Sequence, residues 1–393
     1  MDHSLITELR VLLELKFDLT IITCLTQTNE LTAAEKRRSV YAYSSAMAAA
    51  PRVLSDADVA KLPMATVVDC MERTLMRHAA GQLVAPARLS TGPLGVAGPE
   101  APLEAQHQLA RDQRVNAEGA GELVFTPGAI PGAIGFRVYD LVQLSSPARV
   151  ELVAVLSTVD GSLTSLVAGP LLGAMRTGGI GGAALRHLAR ADASILTLVG
   201  AGYQARTQLM AACATRSWSE VRIWSRRRKQ AEAFVAEMTE LVTEGSLPEG
   251  GITVIAGDTA EGAVRGADVV ICTTTATSPV LETDWLAPGT HITNVGPKFS
   301  DGAELPLDLY ANAVVCTDAV LQCQSIGDRF VLSDAGTGTA AAMQSLPEIV
   351  AGSTPGLGRQ SDDDTTVFIS MGLAGTEVAL AAEHLDVASL AKL

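Results

Sequence analysis

The sequence has little with which to hold a metal, enter a membrane or grip a nucleic acid. Its six cysteines, Cys24, Cys70, Cys213, Cys272, Cys316 and Cys323, form no Cys-x-x-Cys pair, and its six histidines show no His-x-His or His-Glu-x-x-His spacing. A zinc site needs such ligands closely set, so no metal is expected. Most of the cysteines stand in apolar surroundings and read as free thiols of a reducing compartment. Basic charge is scarce: 29 Lys and Arg face 43 Asp and Glu, a net charge of −14. A nucleic-acid groove would need the opposite sign. A local arginine cluster can still reverse the field inside one cleft, so a small anionic ligand remains open. Long apolar runs are also missing. Leu12–Leu25 comes nearest, but Glu14, Lys16 and Asp18 interrupt it, leaving it too short and too charged to span a bilayer. No small-residue cleavage site follows it, so a secretory signal is not expected. Residues 1–51 read as an N-terminal extension, either an amphipathic helix or poorly ordered, and the protein as cytoplasmic.

What is present is core-forming material. Apolar residues make up 48% and charged residues 18% of 393 residues. That balance belongs to a globular chain of two or three domains. From Val53 to Arg77, Val59, Leu62, Val67, Val68, Met71, Leu75 and Met76 recur at helical spacing. Ser55-Asp56-Ala57-Asp58 offers helix-start residues before them. Between Arg88 and Asp160, short β-rich runs alternate with Gly/Pro turns: Glu122–Phe125, Ala133–Tyr139 and Val150–Leu156, with Val159-Asp160-Gly161 as a hairpin turn. This zone predicts a mixed or antiparallel β domain. From Ala193 the pattern changes. Ser194–Val199 is an apolar, β-branched run suited to a parallel strand buried on both faces. Val221–Trp224, Ile252–Val254, Val269–Ile271, His291–Val295 and Ala313–Thr317 are further strand candidates, with a helix at Gln230–Leu241. Strand-helix alternation predicts a parallel α/β sheet. Ala340–Val350 and Ala374–His384 read as helices of a tail that packs back on the first domain.

The motif that carries chemistry is Gly200-Ala201-Gly202-Tyr203-Gln204-Ala205, directly after the Ser194–Val199 strand and opening a helix. This is a dinucleotide fingerprint in its required context. Gly200 permits the tight turn, Gly202 lets a pyrophosphate approach the backbone, and Ala205 keeps helix and strand close. The helix start adds free N–H groups and a positive dipole end, within reach of Tyr203 and Gln204. At the end of the next strand, NAD-binding folds usually carry a carboxylate for the ribose hydroxyls. This chain has Ser225-Arg226-Arg227-Arg228. Guanidinium groups attract a 2′-phosphate where a carboxylate repels it. NADP(H) is therefore expected in preference to NAD(H).

With these residues in view, the chain resembles the ornithine cyclodeaminase/mu-crystallin family from about Arg52 to its C-terminus. Four blocks carry the likeness: Val53–Val59; Met175-Arg176-Thr177-Gly178; Val199–Arg206 with Trp224-Ser225-Arg226; and Cys272–Val280 with Trp285–Ile292. The resemblance implies an α/β fold: a Rossmann domain, here 188–337, and a mixed α+β substrate-binding and dimerisation domain built from both chain ends, here 52–187 with 338–393. It implies a homodimer and a small amino, imino or keto acid substrate. By the same resemblance Arg88 and Arg176 hold the substrate carboxylate, and Arg176 and Thr177 lie against the cofactor. Thr273, Thr274, Val295 and Gly296 flank the nicotinamide, and Ser370-Met371-Gly372 closes over it.

Two positions depart from the family pattern. Arg137 stands where a lysine is common, and Lys298 stands where cyclodeaminases place a catalytic Asp. Arginine keeps the charge and could still grip a substrate carboxylate, but it cannot deprotonate usefully. A lysine at 298 repels a cationic amine, yet suits proton donation to a C=N bond or pairing with an extra carboxylate. Asp301, three residues on, is the candidate to replace the missing acid. Lys298, Arg137 and Asp301 are thus the catalytic candidates. The expected activity is NADPH-dependent reduction of an imino acid or an amine–keto acid condensation product. Two alternatives stand beside it: an ammonia-releasing cyclodeaminase, and a non-catalytic NADPH-binding protein.

Overall fold

The computed structural model describes residues 51–90, 123–140, 151–243, 253–333 and 343–385. Cys24 and the 1–50 extension lie outside them. The first described element is strand β1 (Arg52–Ser55), which runs straight into a one-turn helix, α1 (Asp56–Val59). Ser55 caps that turn: Asp58 accepts from both the Ser55 amide and its hydroxyl, at 3.0 and 2.9 Å. The continuous helical run expected from Val53 is therefore broken twice. Val53 is a strand residue, and the long helix α2 (Met64–Ala79) starts only after Pro63. Strands β2 (Leu89–Ser90), β3 (Leu123–Ile130), β4 (Ala133–Asp140), β5 (Glu151–Ser157) and β6 (Leu163–Ala168) follow. With β1 they form a six-stranded sheet in the order β1-β6-β5-β4-β3-β2, antiparallel except for the β1/β6 pair.

Alternation gives this sheet two distinct faces. Val124, Thr126, Arg137, Tyr139 and Val153 point inward and are buried. Leu123, Phe125, Pro127 and Ala129 on β3, Ile134, Phe136 and Val138 on β4, and Leu152 and Leu156 on β5 lie on the other face, half-buried or exposed. All nine are apolar, and the Phe125 and Phe136 rings stack with centroids 4.9 Å apart.

Helix α3 (Leu171–Leu188) leads into the second sheet. Its glycines let neighbouring helices approach closely: a Cβ at Gly178 would sit 2.5 Å from the Thr207 carbonyl, and one at Gly179 would sit 2.7 Å from Met71. Then come β7 (Ile195–Val199), α4 (Tyr203–Thr215), β8 (Glu220–Trp224), α5 (Arg228–Thr243), β9 (Thr253–Ala256), α6 (Ala260–Val264), β10 (Val269–Cys272) and β11 (His291–Asn294). A small hairpin, β12 (Lys298–Phe299) and β13 (Gly302–Ala303), precedes α7 (Leu307–Ala311), β14 (Val314–Thr317), α8 (Val320–Ile326), β15 (Gln344–Ser345), α9 (Leu346–Ala351), β16 (Thr366–Ile369) and α10 (Thr376–His384).

The larger sheet has the order β15-β14-β16-β11-β10-β7-β8-β9 with every pair parallel. This is a doubly wound Rossmann-type sheet, and its order reverses between β7 and β10, where such folds bind ligands. Two of its strands come from the tail. β15 and β16 lie beyond residue 337, so the 338–393 segment is not confined to the smaller domain as expected. Of the expected Ala340–Val350 helix, positions 340–342 lie outside the described residues; Gln344 and Ser345 pair with Cys316 and Thr317, and helix α9 starts at Leu346. Helix α10 packs on β3 to β6, beneath the inner face of the smaller sheet. One apolar core runs continuously through both domains, from Val67 and Met71 to Phe368 and Leu380. A second lies around α4, β8 and α5.

Candidate functional site

The crevice begins at the turn after β7. Gly200 has φ +107°, a conformation that side chains rarely adopt, and a Cβ there would lie 2.8 Å from the Thr273 hydroxyl. Gly202 caps α4, and a Cβ at that position would meet nothing within 4 Å. The α4 N-terminus therefore faces open space, with its positive dipole end directed into it. Tyr203 is half-exposed, and the Gln204 Oε1 is buried without a partner among the described residues. Ala205 is fully buried against the sheet. Beyond β8, Ser225 accepts the Arg227 amide at 3.4 Å, and Gln230 donates to the Ala201 carbonyl at 2.9 Å. That bond ties the start of α5 to the glycine turn. Arg226 and Arg227 are exposed. No ion pair among the described residues engages either one, whereas Arg228 is held by Glu232 and Asp258. An extended dianionic cofactor with a further phosphate past β8 fits this set of donors.

The opposite end of the crevice is organised by a carboxylate that the sequence did not reveal. Glu304, fully buried, accepts from the Thr274 amide (2.9 Å), the Thr274 hydroxyl (2.8 Å), Asn294 Nδ2 (2.7 Å) and the Gly296 amide (2.6 Å). It thus joins the loops that leave β10 and β11. Burial pushes its carboxyl above the ordinary value, and these donors with the Lys298 charge oppose that. Thr273 donates to the Val199 carbonyl at 3.3 Å, and the Val295 amide donates to Cys272 at 2.9 Å. Lys298, 7% exposed, donates to the Val295 carbonyl at 3.0 Å and the Ser370 carbonyl at 2.6 Å. Burial is the main influence on it and brings its pKa from 10.5 down to about 8, against the upward pull of Glu304 and Asp318.

Beside this end, two arginines converge on Gly372. Arg88 donates to the Met371 carbonyl and, at 3.0 Å, to the Gly372 carbonyl. Arg176, from the middle of α3, is 4% exposed and donates through Nε to Glu377 at 2.8 Å. Its Nη1 is buried with no partner among the described residues, and a Cβ at Gly372 would lie 2.6 Å from it. A buried guanidinium nitrogen without an acceptor is costly, and a planar carboxylate is the group that satisfies it best. Thr177 follows on α3; its hydroxyl donates to Gly173 at 2.7 Å and its carbonyl receives Gln208 Nε2 at 3.1 Å.

The structure gives two sequence candidates different positions from those expected. Arg137 is not directed at open space. Glu151 takes its Nε at 2.8 Å and also its Nη2, Glu377 takes its Nη1 at 2.9 Å, and its guanidinium lies 4.2 Å above the Tyr139 ring. It is a bridge between two buried carboxylates beneath the site. Burial would raise the Glu377 carboxyl, but the Arg176 and Arg137 charges outweigh it and hold it down to about 2. Asp301, the candidate for the missing acid, stands apart from these buried groups. It lies at the turn of the β12/β13 hairpin with its side chain 65% exposed, 3.9 Å from Arg329. Four further residues escaped the sequence reading. Glu151, Glu304 and Glu377 meet their partners across separations of up to 240 residues. Asp318, 1% exposed, accepts the amides of Met371 (2.7 Å), Gly372 (2.9 Å) and Leu373 (2.9 Å). No local spacing signals such contacts. Cys70, Cys213, Cys272, Cys316 and Cys323 are free and buried. Among the described residues Cys70, Glu383 and His384 lie close enough together to share an ion, and Arg73 and Arg77 pair with the Glu383 carboxylate.

The fold and this crevice define a dinucleotide-dependent protein of two interlocked α/β domains. The sequence profile of the ornithine cyclodeaminase/mu-crystallin family matches residues 104–388, and the chain belongs to that family. It is 31% identical over 271 residues to an uncharacterized cyclodeaminase of Sinorhizobium fredii, covering 67% of this chain and 80% of that one. It is 31% identical over 239 residues to the ketimine reductase mu-crystallin of Macropus fuliginosus, covering 61% and 69%. Its structure resembles the Thermococcus litoralis Δ1-pyrroline-2-carboxylate reductase in complex with NADH and L-proline, with TM-score 0.66 and 26% identity over 84% of this chain and 95% of that one.

Proposed function

We propose that this protein is an oxidoreductase that uses NADPH to reduce the C=N bond of an imino acid, cyclic or formed from an amine and a 2-keto acid. The observation that carries the reading is the Arg176 Nη1, buried beside Arg88 with no partner among the described residues. Similar proteins include a ketimine reductase and a pyrroline-2-carboxylate reductase. The reduced dinucleotide, when bound, supplies the hydride. The rest falls to this chain's side chains. The α4 N-terminus and Gly202 receive the pyrophosphate, Arg226 and Arg227 a 2′-phosphate, and the Glu304-organised loops with Thr273, Thr274 and Gly296 flank the ring. Arg176 and Arg88 hold the substrate carboxylate. Lys298 in its ammonium form donates a proton to the imine nitrogen as the carbon is reduced. A cation at 298 disfavours binding of an ammonium substrate, which counts against an ammonia-releasing cyclodeaminase. We also read the apolar outer face of the six-stranded sheet as the seam of a homodimer, and the protein as cytoplasmic. No described helix is long and apolar enough to cross a membrane.

The test is NADPH and NADH oxidation by the purified protein against cyclic imino acids and amine–keto acid pairs, with ammonia measured in parallel. Stoichiometric NADPH consumption is expected. Ammonia release at catalytic cofactor would favour the cyclodeaminase. Tight NADPH binding with no turnover of any substrate would leave a binding protein. In the same assay, Arg226→Ala with Arg227→Ala should weaken NADPH by about 1.5–3 kcal/mol per charged hydrogen bond lost and leave NADH nearly unchanged. Equal losses for both nucleotides would remove the NADPH assignment.

A further inference from the structure

The segment Ser370–Leu373 follows β16 and is gripped along both of its hydrogen-bonding edges. Its amides at 371, 372 and 373 all point to one carboxylate, Asp318. Its carbonyls at 370, 371 and 372 all receive cationic donors, Lys298 on the first and Arg88 on the other two. Arg88 is fixed a second time, where its own amide donates to Gln322 at 2.8 Å. Asp318 lies in the turn from β14 into α8 and Gln322 in the first turn of α8, so this strand-to-helix junction holds both the segment and the backbone of Arg88. The same junction lines a cavity of about 260 Å³ with Arg88, Gly372 and Leu373. The segment therefore borders a cavity while its amides are anchored on Asp318.

We propose that Asp318 is a positioning residue: by holding the Met371–Leu373 amides it sets the carbonyls that aim Arg88 and Lys298 into the cleft. This rests on the imino-acid reading for the roles of those two cations. The physical reason is that a carboxylate accepting three amides fixes a peptide segment far more firmly than water does, since each charge-assisted bond is stronger than a neutral one. Carbonyls of a fixed segment then define where two long, flexible side chains place their charges. When a substrate carboxylate enters, Arg88 exchanges part of its carbonyl contact for the ligand, while the segment stays in place. Lys298 faces Glu304 from the β13 side, Asp318 from the β14 side, Arg88 from the loop before β2 and Cys323 from α8. Asp318 is one of the two carboxylates that keep its proton on.

Asp318→Asn keeps the shape and removes the charge and one acceptor. Three readouts are expected to move together. Amide exchange at 371–373 should speed up by an order of magnitude or more, with the glycine turn at 200–202 unaffected. Affinity for pyrrole-2-carboxylate, a carboxylate probe whose ring nitrogen carries no charge, in the presence of NADP+, should fall roughly tenfold, while NADPH affinity stays within twofold. The alkaline limb of the pH–rate profile should move to lower pH, because Lys298 loses a neighbour that favours its charged form. Asp318→Glu, which keeps the charge but displaces it, should fold, lose probe affinity and leave the alkaline limb nearer the parent position. Unchanged probe affinity and exchange in Asp318→Asn would overturn the proposal. So would failure of both variants to fold, which would make Asp318 a scaffold residue. Should the parent protein turn over no imino acid, the functional reading fails, while exchange and probe affinity still decide the role of Asp318.

Discussion

Gly372 concentrates the residue-scale argument. Its φ of +81° lies where a side chain is strained, and Arg88 and Arg176 both crowd the space a Cβ would take. Gly372→Ala should cost about 1–2 kcal/mol from backbone strain and push the two guanidiniums apart. The expected result is a rise in KM for the imino acid of roughly tenfold or more, each 1.4 kcal/mol being a factor of ten. Unaltered KM would show that the guanidiniums do not converge on the substrate. Lys298 gives the second prediction at this scale. With a pKa near 8, it is protonated below that value and neutral above it. If it delivers the proton, kcat/KM should hold at neutral pH and decline above about pH 8. Lys298→Met should remove that limb and lower turnover, while nucleotide titration stays close to the parent curve. A limb that persists in the variant belongs to another group.

At the scale of single elements, β11 carries a titratable group where none is expected. His291 is fully buried in the middle of the parallel sheet, bonded to Thr366 at 2.9 Å and Thr293 at 3.1 Å. Burial, with smaller contributions from Arg359 and Arg216, lowers its pKa to about 3. Unfolded, the ring titrates near 6.5. The folded value is the depressed one, so this contribution is complete above pH 6.5 and is lost as pH falls from there toward 3. The slope reaches about 1.4 kcal/mol per pH unit. Urea unfolding at pH 7, 6, 5 and 4 should show the decline, and His291→Gln should flatten it. A parallel decline in the variant would assign it elsewhere. The element itself was legible, as were β7, β8, β10, β14 and the glycine turn, because buried parallel strands announce themselves as short β-branched runs. The site was legible only where local rules apply. Gly200, Gly202 and the arginines after β8 follow from a turn and a strand end. Glu304 and Asp318 do not, because an isolated carboxylate in a sequence carries no sign of the distant amides it will accept. For the same reason nothing around Arg137 signals that Glu377, 240 residues away, takes one of its guanidinium nitrogens.

For the whole molecule, the proposed dimer seam on the outer face of the six-stranded sheet is the feature to test. Nine apolar positions on three adjacent strands form a surface larger than scattered exposed hydrophobics explain. Sedimentation of the parent protein should give a dimer. Ile134→Asp with Phe136→Asp places two charges at the centre of that face, and should give a folded monomer with the nucleotide crevice intact. A dimer that survives the double change uses another surface. The path of β16 reaches further. Because this strand sits between β11 and β14, the nucleotide-binding half stays split until residue 369 has left the ribosome, with two open strand edges waiting for their filler. Synthesis that stalls anywhere in the preceding fifty or so residues would release a chain with a ready template for pairing with its neighbours. Such a protein depends on being finished quickly, or on a chaperone that covers the gap meanwhile.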